Sequence, residues 1–409
     1  MPQNTSIDDP DIPTQQAHHC MVVHAFYPLA ETRVQRQAET LVSHGYDVDV
    51  ICIRHQADKS DYEVVRGVHV HRLPVGRDVL LPGVAGRMAA YVLFMLWAMV
   101  KLNRLYAKKR HRVVQVHNLP DFLVFCAWWP KLRGARVILD IHDVMPEFYA
   151  ENTGLSMTSW LVRLMIWQEQ ASCRFADHVI TVTEPWRQAL IGRGVPAEKT
   201  SVIMNVPDSA LFHRGVQAEA AALKNGKFSL IYHGVQAPRH GLDTILRAVD
   251  RLRHDLPNLK VIIHGNGDAH DDLVRLSEQL GLSDWVEFST RFMAIEELPL
   301  FIAQADMGVV PYHNNIFSGG ILPTKVLEYV ALGLPVIAAR TPAIEAYFDD
   351  SMIELFEPGN VDELTAHIKT LYSSKARRED LVKQSDKFNQ HYNWDAHSKD
   401  YVNLVRRLN

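Results

Sequence analysis

Apolar runs of strand length alternate with amphipathic stretches of helical length along this chain, and the alternation occurs twice. In the first half, strand-like runs lie at 20–26, 46–53, 68–73, 113–116 and 137–141, and a helical pattern at 33–44 follows the first of them. In the second half, strand-like runs lie at 228–235, 261–264, 286–289, 307–311 and 335–339, separated by helical patterns at 241–253, 271–280, 295–305 and 323–332. Strands that alternate with helices pair in parallel and carry helices on both faces of the sheet. The sequence therefore predicts an α/β fold.

The length of the chain decides how these elements are divided. A chain of 409 residues is longer than one hydrophobic core usually serves. Two doubly wound, Rossmann-like domains in tandem are therefore favoured over one twelve-stranded sheet. We place the first domain at 19–205 and the second at 206–390, because a polar segment at 205–225 separates the two alternations. Residues 391–409 follow as a separate final segment.

Composition and charge exclude several classes of protein. Apolar residues make up 47% of the chain and charged residues 22%, which excludes disorder as the main state, and the net charge of -4 gives no overall field that would attract nucleic acid. The cysteines lack a C-x-x-C pair and stand far apart, which argues against a disulfide scaffold or a zinc module; they are Cys20, Cys52, Cys126 and Cys173. Residues 1–18 lack a basic start and an apolar run, so we predict a disordered leader on a cytoplasmic protein rather than a signal peptide.

One stretch of the first half is both basic and apolar. Between residues 64 and 120 one acid stands against ten basic residues, and residues 88–100 carry no charge. A bilayer span needs about 20 apolar residues, and Pro82, Gly83, Gly86 and Arg87 interrupt any longer window, so we expect no crossing. Residues 88–112 fit a helix lying on an anionic membrane surface. They also fit a crossover helix buried on the sheet with a solvated basic end, whereas nucleic acid is disfavoured because aromatic residues are not interleaved with the cations.

The segment 317–337 carries the strongest ligand signal. Gly319 and Gly320 let the backbone approach a ligand closely, and Pro323 suits the first position of a helix whose free N–H groups attract anions. Lys325 and Glu328 lie on one face of that helix, where a carboxylate can accept hydrogen bonds from a ribose while phosphates occupy the positive helix end. No acid occurs at 307–327, so the loop does not repel a diphosphate. The alternative is an ordinary loop beside an exposed ion pair.

Two further loops fit a phosphate-bearing ligand less specifically. Gly265 and Gly267 follow a strand but lack the third glycine of a dinucleotide fingerprint. Gly234 ends a strand before a loop that contains Arg239, whose guanidinium could clamp phosphate oxygens; the alternative is a solvated arginine. No Asp-x-Asp pair stands at a strand end, so we expect no divalent metal or other cofactor, and charge stabilisation from Arg, Lys and backbone dipoles.

Taken in order, these motifs resemble those of a known family. The carriers are Tyr232-His-Gly, Arg239-His-Gly-Leu-Asp243, His264-Gly-Asn-Gly-Asp268, Ala305-Asp-Met-Gly-Val-Val-Pro311 and Pro323-Thr-Lys-Val-Leu-Glu-Tyr-Val-Ala-Leu-Gly-Leu-Pro335, with Arg33-Val-Gln-Arg-Gln-Ala, Gly45-Tyr-Asp-Val and Leu139-Asp-Ile-His-Asp-Val-Met-Pro-Glu147 in the first half. From about residue 20 to its end the chain resembles the retaining GT-B glycosyltransferases of family 4, especially bacterial enzymes of surface and exopolysaccharide assembly.

The resemblance implies a fold, substrates and residue roles. Two Rossmann-like domains would face a cleft, the final helix at 391–409 would cross back to the first domain, a nucleotide-sugar would bind the second domain, and a saccharide or polyprenyl-linked acceptor the first. Glu328 would hold the ribose, and Arg239 and Lys325 the diphosphate. His142 would face the transferred sugar, unless it is a buried histidine satisfied by a neighbouring aspartate. The other donor residues would be Gly234, Gly265, Gly267, Gly319, Gly320, Ile321 and Leu322, and the acceptor side would include Arg33, Asn118 and Asp143.

Two positions depart from the family pattern. The pattern often places two glutamates eight positions apart, whereas the partner of Glu328 here is Gly320, so the identity of the hexose stays open. Val235 stands where many members have a basic residue, which leaves Arg239 as the clamp of that loop unless Lys325 compensates.

The resemblance also implies a mechanism. We expect an acceptor hydroxyl to attack on the face from which the nucleoside diphosphate departs, with the leaving phosphate as base, because no carboxylate in the motifs is an evident nucleophile. Two other functions stay open. A nucleotide-sugar 2-epimerase is disfavoured by the acid-free loop, and a non-catalytic nucleotide-sugar-binding protein is suggested by the missing first glutamate.

Overall fold

A computed structural model describes residues 17–28, 31–55, 58, 60–74, 84–224 and 226–409. The leader predicted at 1–18 lies outside the described residues except for its last two positions, and His18 already belongs to the first strand.

The first domain is built on an eight-stranded sheet. Its strands are β1 His18–Phe26, β2 Asp47–Ile53, β3 Tyr62–Val65, β4 Val68–Leu73, β5 Val113–His117, β6 Arg136–Ile141, β7 His178–Thr181 and β8 Thr200–Val202. The order is β3-β4-β2-β1-β5-β6-β7-β8, and every pair is parallel except the edge pair β3–β4. The helices of this domain are α1 Thr32–Ser43, α2 Val84–Lys109, α3 Trp128–Leu132, α4 Met145–Thr153, α5 Trp160–Phe175 and α6 Glu184–Gly192, with 3₁₀ turns at Asp121–Ala127 and Ala197–Lys199.

Both faces of this sheet are buried. Along β6, Ile138 joins the core on one face and Leu139 joins the core on the other, as the two-residue period of a strand requires. Strands buried on both faces read as nearly continuous apolar runs, which is why the sequence located them.

The second domain is built on a six-stranded parallel sheet. Its strands are β9 Phe228–His233, β10 Leu259–His264, β11 Val286–Ser289, β12 Met307–Val310, β13 Val336–Ala339 and β14 Glu354–Phe356, in the order β11-β10-β9-β12-β13-β14. Its helices are α7 Val216–Ala221, α8 Leu242–Leu252, α9 His270–Gln279, α10 Leu298–Ala303, α11 Thr324–Leu332, α12 Pro342–Glu345, α13 Val361–Ser373 and α14 Lys375–His391, with 3₁₀ turns at Pro238–His240 and Ser318–Gly320. The strand order reverses between β9 and β12, and ligands of such sheets bind outside the carboxyl ends of the strands at that point.

A final helix, α15 at Trp394–Leu408, returns to the first domain. Tyr401, Val402 and Val405 are buried in the first-domain core, and the Trp394 indole nitrogen donates to Thr40 Oγ1 over 3.1 Å. The predicted fold of two doubly wound domains with a helix crossing back is therefore confirmed.

Helix α2 is longer than the apolar stretch from which it was predicted. It runs through Gly86 and Arg87, which the sequence analysis treated as interruptions, because one glycine costs a helix only about 1 kcal/mol. By length and composition α2 is the one helix of the described residues that could cross a membrane, and 28% of its most apolar window is buried. Phe94, Ala98 and Leu102 belong to the first-domain core, so one face of α2 is committed to the protein.

Candidate active site

A cavity of about 180 Å³ lies between the two domains, at the carboxyl ends of their strands. The first domain lines it with His142, Asp143, Val182, Thr183 and Trp186, the second with Tyr312, Ile321, Leu322, Pro323, Thr324, Lys325 and Leu327, and the segment after β8 with Met204 and Asn205. The cavity therefore joins residues predicted for the donor with residues predicted for the acceptor side.

Lys325 lies in the first turn of α11 and is almost completely buried. Its Nζ donates to the Tyr312 hydroxyl over 2.7 Å and lies 5.1 Å from the centres of the Tyr232 and Tyr312 rings. A Cβ placed on Gly234 would lie 3.3 Å from this Nζ, so the glycine leaves room for the amine. Burial lowers the pKa of Lys325, but the two tyrosines and Glu328 raise it by a larger amount. The net shift of the pKa is upward, and the amine stays charged. Lys325 is thus a buried cation on the cavity wall.

Glu328 lies one helical turn after Lys325 and is held by a histidine that the sequence analysis did not assign. His233 Nε2 lies 2.5 Å from Glu328 Oε2, and His233 Nδ1 lies 2.9 Å from the Tyr329 hydroxyl. This chain of contacts fixes one carboxylate oxygen at the carboxyl end of β9. The signal was present in the Tyr232-His-Gly motif, whose histidine ends the strand.

The loop before α11 uses most of its own amides internally. The amides of Gly319, Gly320 and Ile321 donate to the carbonyls of Asn315, Phe317 and Ser318. The amides of Phe317 and Ser318, which were not predicted as ligands, donate to Glu151 Oε2 over 2.9 and 3.0 Å. Among Gly319, Gly320, Ile321 and Leu322, which were predicted as donor-binding residues, only the Leu322 amide has no acceptor within the described part of the chain.

Gly320 faces the first domain rather than open space. A Cβ at this position would lie 2.4 Å from Trp186 Cη2, and the Thr183 hydroxyl donates to the Gly320 carbonyl over 3.3 Å. The Trp186 ring stacks on Phe317 with centroids 6.0 Å apart. The position where the family pattern often has a glutamate is therefore closed by an indole.

The other predicted glycines serve the packing of two loops. A Cβ on Gly265 would lie 2.1 Å from the Gly234 carbonyl oxygen, and a Cβ on Gly267 would lie 2.4 Å from the Gln236 carbonyl oxygen. Both glycines have positive φ, at 122° and 158°. Their close approach to the 234–236 backbone explains the residue type without a ligand.

Arg239 stands in the 3₁₀ turn at Pro238–His240, with its side chain half-buried near the cleft. Its Nε is buried and has no hydrogen-bond partner within the described residues. Burial raises the pKa of Asp143 across the cleft, and the charges of His142 and Arg239 partly offset that rise. An anion in the cleft would give this buried N–H of Arg239 an acceptor.

His142 follows β6 and faces the cavity with 16% of its side chain exposed. Its Nε2 lies 3.2 Å from His117 Nδ1 and 3.6 Å from Asp140 Oδ2, and its Nδ1 lies 3.9 Å from Glu31 Oε1. The sequence analysis considered an aspartate as its partner; the nearer group is His117, which is fully buried.

Two residues predicted for the acceptor side lie behind the cavity wall. Arg33 is 5% exposed and forms a two-pronged ion pair with Asp140, with Nε–Oδ2 at 3.0 Å and Nη2–Oδ1 at 2.8 Å. Asn118 accepts from the His142 amide over 2.7 Å and donates to the Asp143 carbonyl over 2.7 Å. In this structure Arg33 and Asn118 support the loop that carries His142 and do not line the cavity.

Three side chains lie close enough to share a metal ion, namely His117, Asp140 and His142. Both carboxylate oxygens of Asp140 already accept hydrogen bonds from Arg33. A cation at this point would lie beside a buried guanidinium, so the cluster fits a hydrogen-bond network better than a metal site.

Comparison with known proteins identifies the family. Residues 30–205 match the Glycosyl transferase 4-like domain, and residues 215–388 match Glycosyl transferases group 1. An uncharacterized glycosyltransferase of Methanocaldococcus jannaschii is 24% identical over 390 residues, covering 90% of this chain and 92% of that protein. The putative colanic acid biosynthesis glycosyl transferase of Escherichia coli is 26% identical over 255 residues, covering 58% of this chain and 60% of that protein.

Solved structures show the same fold. Sucrose-phosphate synthase from Thermosynechococcus elongatus superposes with a TM-score of 0.77 at 20% identity, covering 96% of this chain and 99% of that one. Anabaena HepE in complex with UDP-glucose superposes with a TM-score of 0.69 at 15% identity, covering 95% and 99%. The chain belongs to the group 1 family of GT-B glycosyltransferases and is a nucleotide-sugar glycosyltransferase.

Proposed function

We propose that the enzyme is a retaining, metal-independent glycosyltransferase that moves a sugar from a nucleotide-sugar to a hydroxyl of a lipid-linked saccharide during surface-polysaccharide synthesis. The main observation behind this proposal is the cavity that Lys325 lines from the second domain and His142 lines from the first. Glu328 lies one helical turn after Lys325. Similarity to a putative colanic acid transferase supports the pathway class.

The donor would bind mainly through charge and one carboxylate. Lys325 and the guanidinium of Arg239 offer two cations to the diphosphate. The carboxylate of Glu328, held on one oxygen by His233, would accept hydrogen bonds from the ribose hydroxyls through its other oxygen. The UDP-glucose complex of the structurally similar HepE supports a ligand of this kind.

The transfer needs no protein nucleophile in this proposal. The acceptor oxygen forms a bond to the anomeric carbon on the face from which the diphosphate leaves, the bond between that carbon and the phosphate oxygen breaks, and the acceptor proton passes to the leaving phosphate. Lys325 and Arg239 would stabilise the charge that develops on the diphosphate. His142, opposite them, would hold a hydroxyl of the transferred sugar.

The surface of the first domain supports a lipid-linked acceptor. Helix α2 exposes a stripe of apolar residues at four-residue spacing, namely Met88, Val92, Leu96 and Val100. Helices α2 and α5 both pack on the 3₁₀ turn at Asp121–Ala127, which leads into α3. Trp97 of α2 is exposed as well, and α3 and α5 add further exposed apolar side chains, namely Trp128, Trp129, Leu132, Trp160, Leu164 and Trp167. Single apolar residues on a surface are ordinary, but many exposed aromatic and apolar side chains on neighbouring elements are typical of a surface that binds a partner or a lipid bilayer.

Charge complements this face. Arg104, Lys108 and Arg110 at the end of α2 are exposed and available to anionic headgroups, each worth about 1 kcal/mol near the surface. Lys109 is not available, because its Nζ lies 3.0 Å from Asp47 Oδ2 and 2.9 Å from Asp49 Oδ2. We propose that this face, which extends the predicted 88–112 site, rests on the inner side of the cytoplasmic membrane.

A thermal-shift panel of nucleoside diphosphates and nucleotide-sugars tests the donor site. A ligand at a hundred times its dissociation constant adds about 2.7 kcal/mol of stability, which raises the melting temperature measurably. We expect one base to stabilise the parent and to lose that effect in Glu328→Ala, while Glu278→Ala, an exposed glutamate on α9, keeps it. If no nucleotide stabilises the parent, or if the parent, Glu328→Ala and Glu278→Ala are stabilised equally, the assignment of the donor site is contradicted.

Product analysis separates the reaction classes. A transferase releases nucleoside diphosphate only when a saccharide acceptor is added, a 2-epimerase changes the nucleotide-sugar alone, and a binding protein does neither. Retention predicts that donor and product share the anomeric configuration, which NMR of the product reads directly. Activity unaffected by EDTA is expected for chemistry that needs no divalent metal.

Flotation with lipid vesicles tests the membrane face. We expect binding to vesicles containing 30% phosphatidylglycerol to exceed binding to pure phosphatidylcholine, and to fall in Trp160→Ser with Trp167→Ser. Phe292→Ser is the matched control, because Phe292 is 95% exposed but lies in the second domain. Unchanged flotation of the tryptophan variant would contradict the proposal. A variant that binds vesicles like the parent but no longer forms a dimer that the parent forms would also contradict it.

A further inference from the structure

The hydroxyl of Tyr401, on the returning helix α15, is connected to His142 by buried side chains. Tyr401 donates to Gln115 Oε1 over 2.7 Å, and Gln115 is completely buried in β5. Burial raises the pKa of Tyr401 well above its usual range, so the hydroxyl keeps its proton and acts as a donor. This contact therefore fixes which end of the Gln115 amide is the acceptor.

The orientation of Gln115 in turn selects the tautomer of His117. With Oε1 facing Tyr401, the Gln115 amide nitrogen points at Gln37 Oε1 over 2.6 Å and at His117 Nε2 over 3.4 Å. The same nitrogen also lies 3.4 Å from Asp140 Oδ2. An amide nitrogen can only donate, so a hydrogen bond from it to His117 Nε2 requires that Nε2 to be unprotonated. Burial lowers the pKa of His117 to about 4, which leaves one proton on the neutral ring, at Nδ1.

The proton on His117 then decides the state of His142. His117 Nδ1 lies 3.2 Å from His142 Nε2 and 3.3 Å from Asp140 Oδ2, so a proton on Nδ1 has both atoms within hydrogen-bonding distance. When His142 Nε2 accepts the hydrogen bond of this proton, the N–H of the His142 ring lies at Nδ1. Glu31 Oε1 lies 3.9 Å from His142 Nδ1, which is too far for a hydrogen bond. The Nδ1–H group is therefore available to donate to a hydroxyl of the bound sugar.

The network also contacts the segment at 203–206, which is one of the two places where the chain passes between the domains. Arg33, which pairs with Asp140, donates through Nη1 to the Ile203 carbonyl over 2.7 Å and to Asn205 Oδ1 over 2.9 Å. The chain thus passes between the domains twice, once at 203–206 and once before α15. The first passage bonds to Arg33, and the helix that follows the second passage bonds to Gln115 through Tyr401. Of the side chains named here, His142 and Asn205 line the cavity.

We propose that Tyr401 and Gln115 are positioning residues that set the tautomer of His142, so that the returning helix keeps the ring ready to donate from Nδ1. The role of His142 toward sugar rests on the proposed function; its tautomer does not. The proposal assigns to the crossing helix a part in the chemistry beyond that of joining two domains.

The test compares Tyr401→Phe with Tyr106→Phe. Tyr106 is its matched control, because its hydroxyl also donates a buried hydrogen bond in the first domain, to the Arg133 carbonyl over 3.1 Å, but away from the network. We expect Tyr401→Phe to lower kcat about tenfold, the value of one hydrogen bond, with KM for the donor within about twofold of the parent. Tyr106→Phe should keep both within about twofold.

Nitrogen NMR of the histidine rings reads the tautomer without any substrate. His142 in the parent should show a protonated Nδ1 and an unprotonated Nε2. Its ring signals are assigned as those that disappear in His142→Gln. Tyr401→Phe should change this pattern, and Gln115→Met should change it in the same way if the first variant does not fold. An unchanged His142 pattern in both variants, or equal kcat in Tyr401→Phe and Tyr106→Phe, overturns the proposal. A changed pattern in an enzyme that uses no nucleotide-sugar would refute the proposed function and leave the positioning role intact.

Discussion

Adding one methyl group at Gly320 should disturb the closed cleft rather than the local backbone. The φ of Gly320 is not in the left-handed region, so alanine is conformationally acceptable. Its Cβ would nevertheless lie 2.4 Å from both Cη2 and Cζ2 of Trp186. Carbon atoms in contact prefer separations of about 3.5–4.0 Å, so the overlap is more than about 1 Å.

The surroundings leave little room to relieve this overlap. The indole is 5% exposed and stacks on Phe317, so it cannot swing aside as the end of a flexible side chain would. Overpacking of this kind costs about 1–3 kcal/mol. Because Trp186 belongs to the first domain and Gly320 to the second, the strain is relieved when the domains separate. We therefore expect Gly320→Ala to lower kcat/KM by about 5- to 150-fold, the equivalent of that cost.

Gly192→Ala is the matched control for this prediction. Gly192 lies on α6, the helix that carries Trp186, and a Cβ there would have nothing within 4 Å. Alanine at a helical glycine stabilises by about 0.5–1 kcal/mol, so activity should stay at the parent value and the melting temperature should not fall. Trp186→Phe removes the clashing atoms and should recover part of the loss in Gly320→Ala. Equal activity of the two glycine variants, or strictly additive effects of Gly320→Ala and Trp186→Phe, would refute the steric argument.

Three further predictions follow from buried charges. Glu151→Ala removes the acceptor of the Phe317 and Ser318 amides, so hydrogen exchange at these two amides should accelerate at least tenfold, since a hydrogen bond to a charged group is worth about 1.5–3 kcal/mol. Burial raises the pKa of Asp121 to about 6, above its unfolded value of about 3.9, so the unfolded chain releases the proton first, and the contribution of Asp121 to the free energy of unfolding falls by about 3 kcal/mol as pH rises from 4 to above 6. Urea titration should show the difference in free energy of unfolding between the parent and Asp121→Asn changing by about this amount over the same pH range. Lys325→Met should abolish stabilisation by nucleoside diphosphates but leave that by nucleosides.

Each of these predictions has a result that contradicts it. Exchange at Phe317 unchanged by Glu151→Ala would mean that the loop is held by other contacts. A difference in stability between the parent and Asp121→Asn that stays constant over this pH range would contradict the raised pKa of Asp121. Diphosphate binding that survives Lys325→Met would move the phosphate site away from α11.

The sequence located most of the central strands, and it missed the strands β3, β7, β8 and β14, of which β7 and β14 are buried but only four and three residues long. Central strands such as β6 and β9 are continuous apolar runs, and they were found where the structure has them. The edge strand β3 is largely exposed and carries no such run, and β14 is only three residues long. The predicted helix at 295–305 is shorter in the structure, at Leu298–Ala303.

The candidate site was predictable where its residues are close together in the chain. Lys325 and Glu328 share one turn of helix, and a local pattern brought them together. Glu151 and Trp186 reach the same loop from the other domain, and nothing near them in the sequence indicates that contact. For Gly320 the residue type was noticed but the reason was different, because its neighbour is an indole rather than a ligand.

The charges around the cavity now indicate where a diphosphate can lie. The segment 307–327 contains no acid of its own, yet the Glu151 carboxylate accepts from the amides of Phe317 and Ser318, so these N–H groups are not offered to phosphate. Glu328 is engaged by His233, and burial raises the pKa of Asp143, which weakens the repulsion from that side. Lys325 on the cavity wall and Arg239 beside it are cations of the described residues that can attract a phosphate. A phosphate placed between these two is attracted by both, whereas a phosphate placed at the amides of Phe317 and Ser318 meets Glu151.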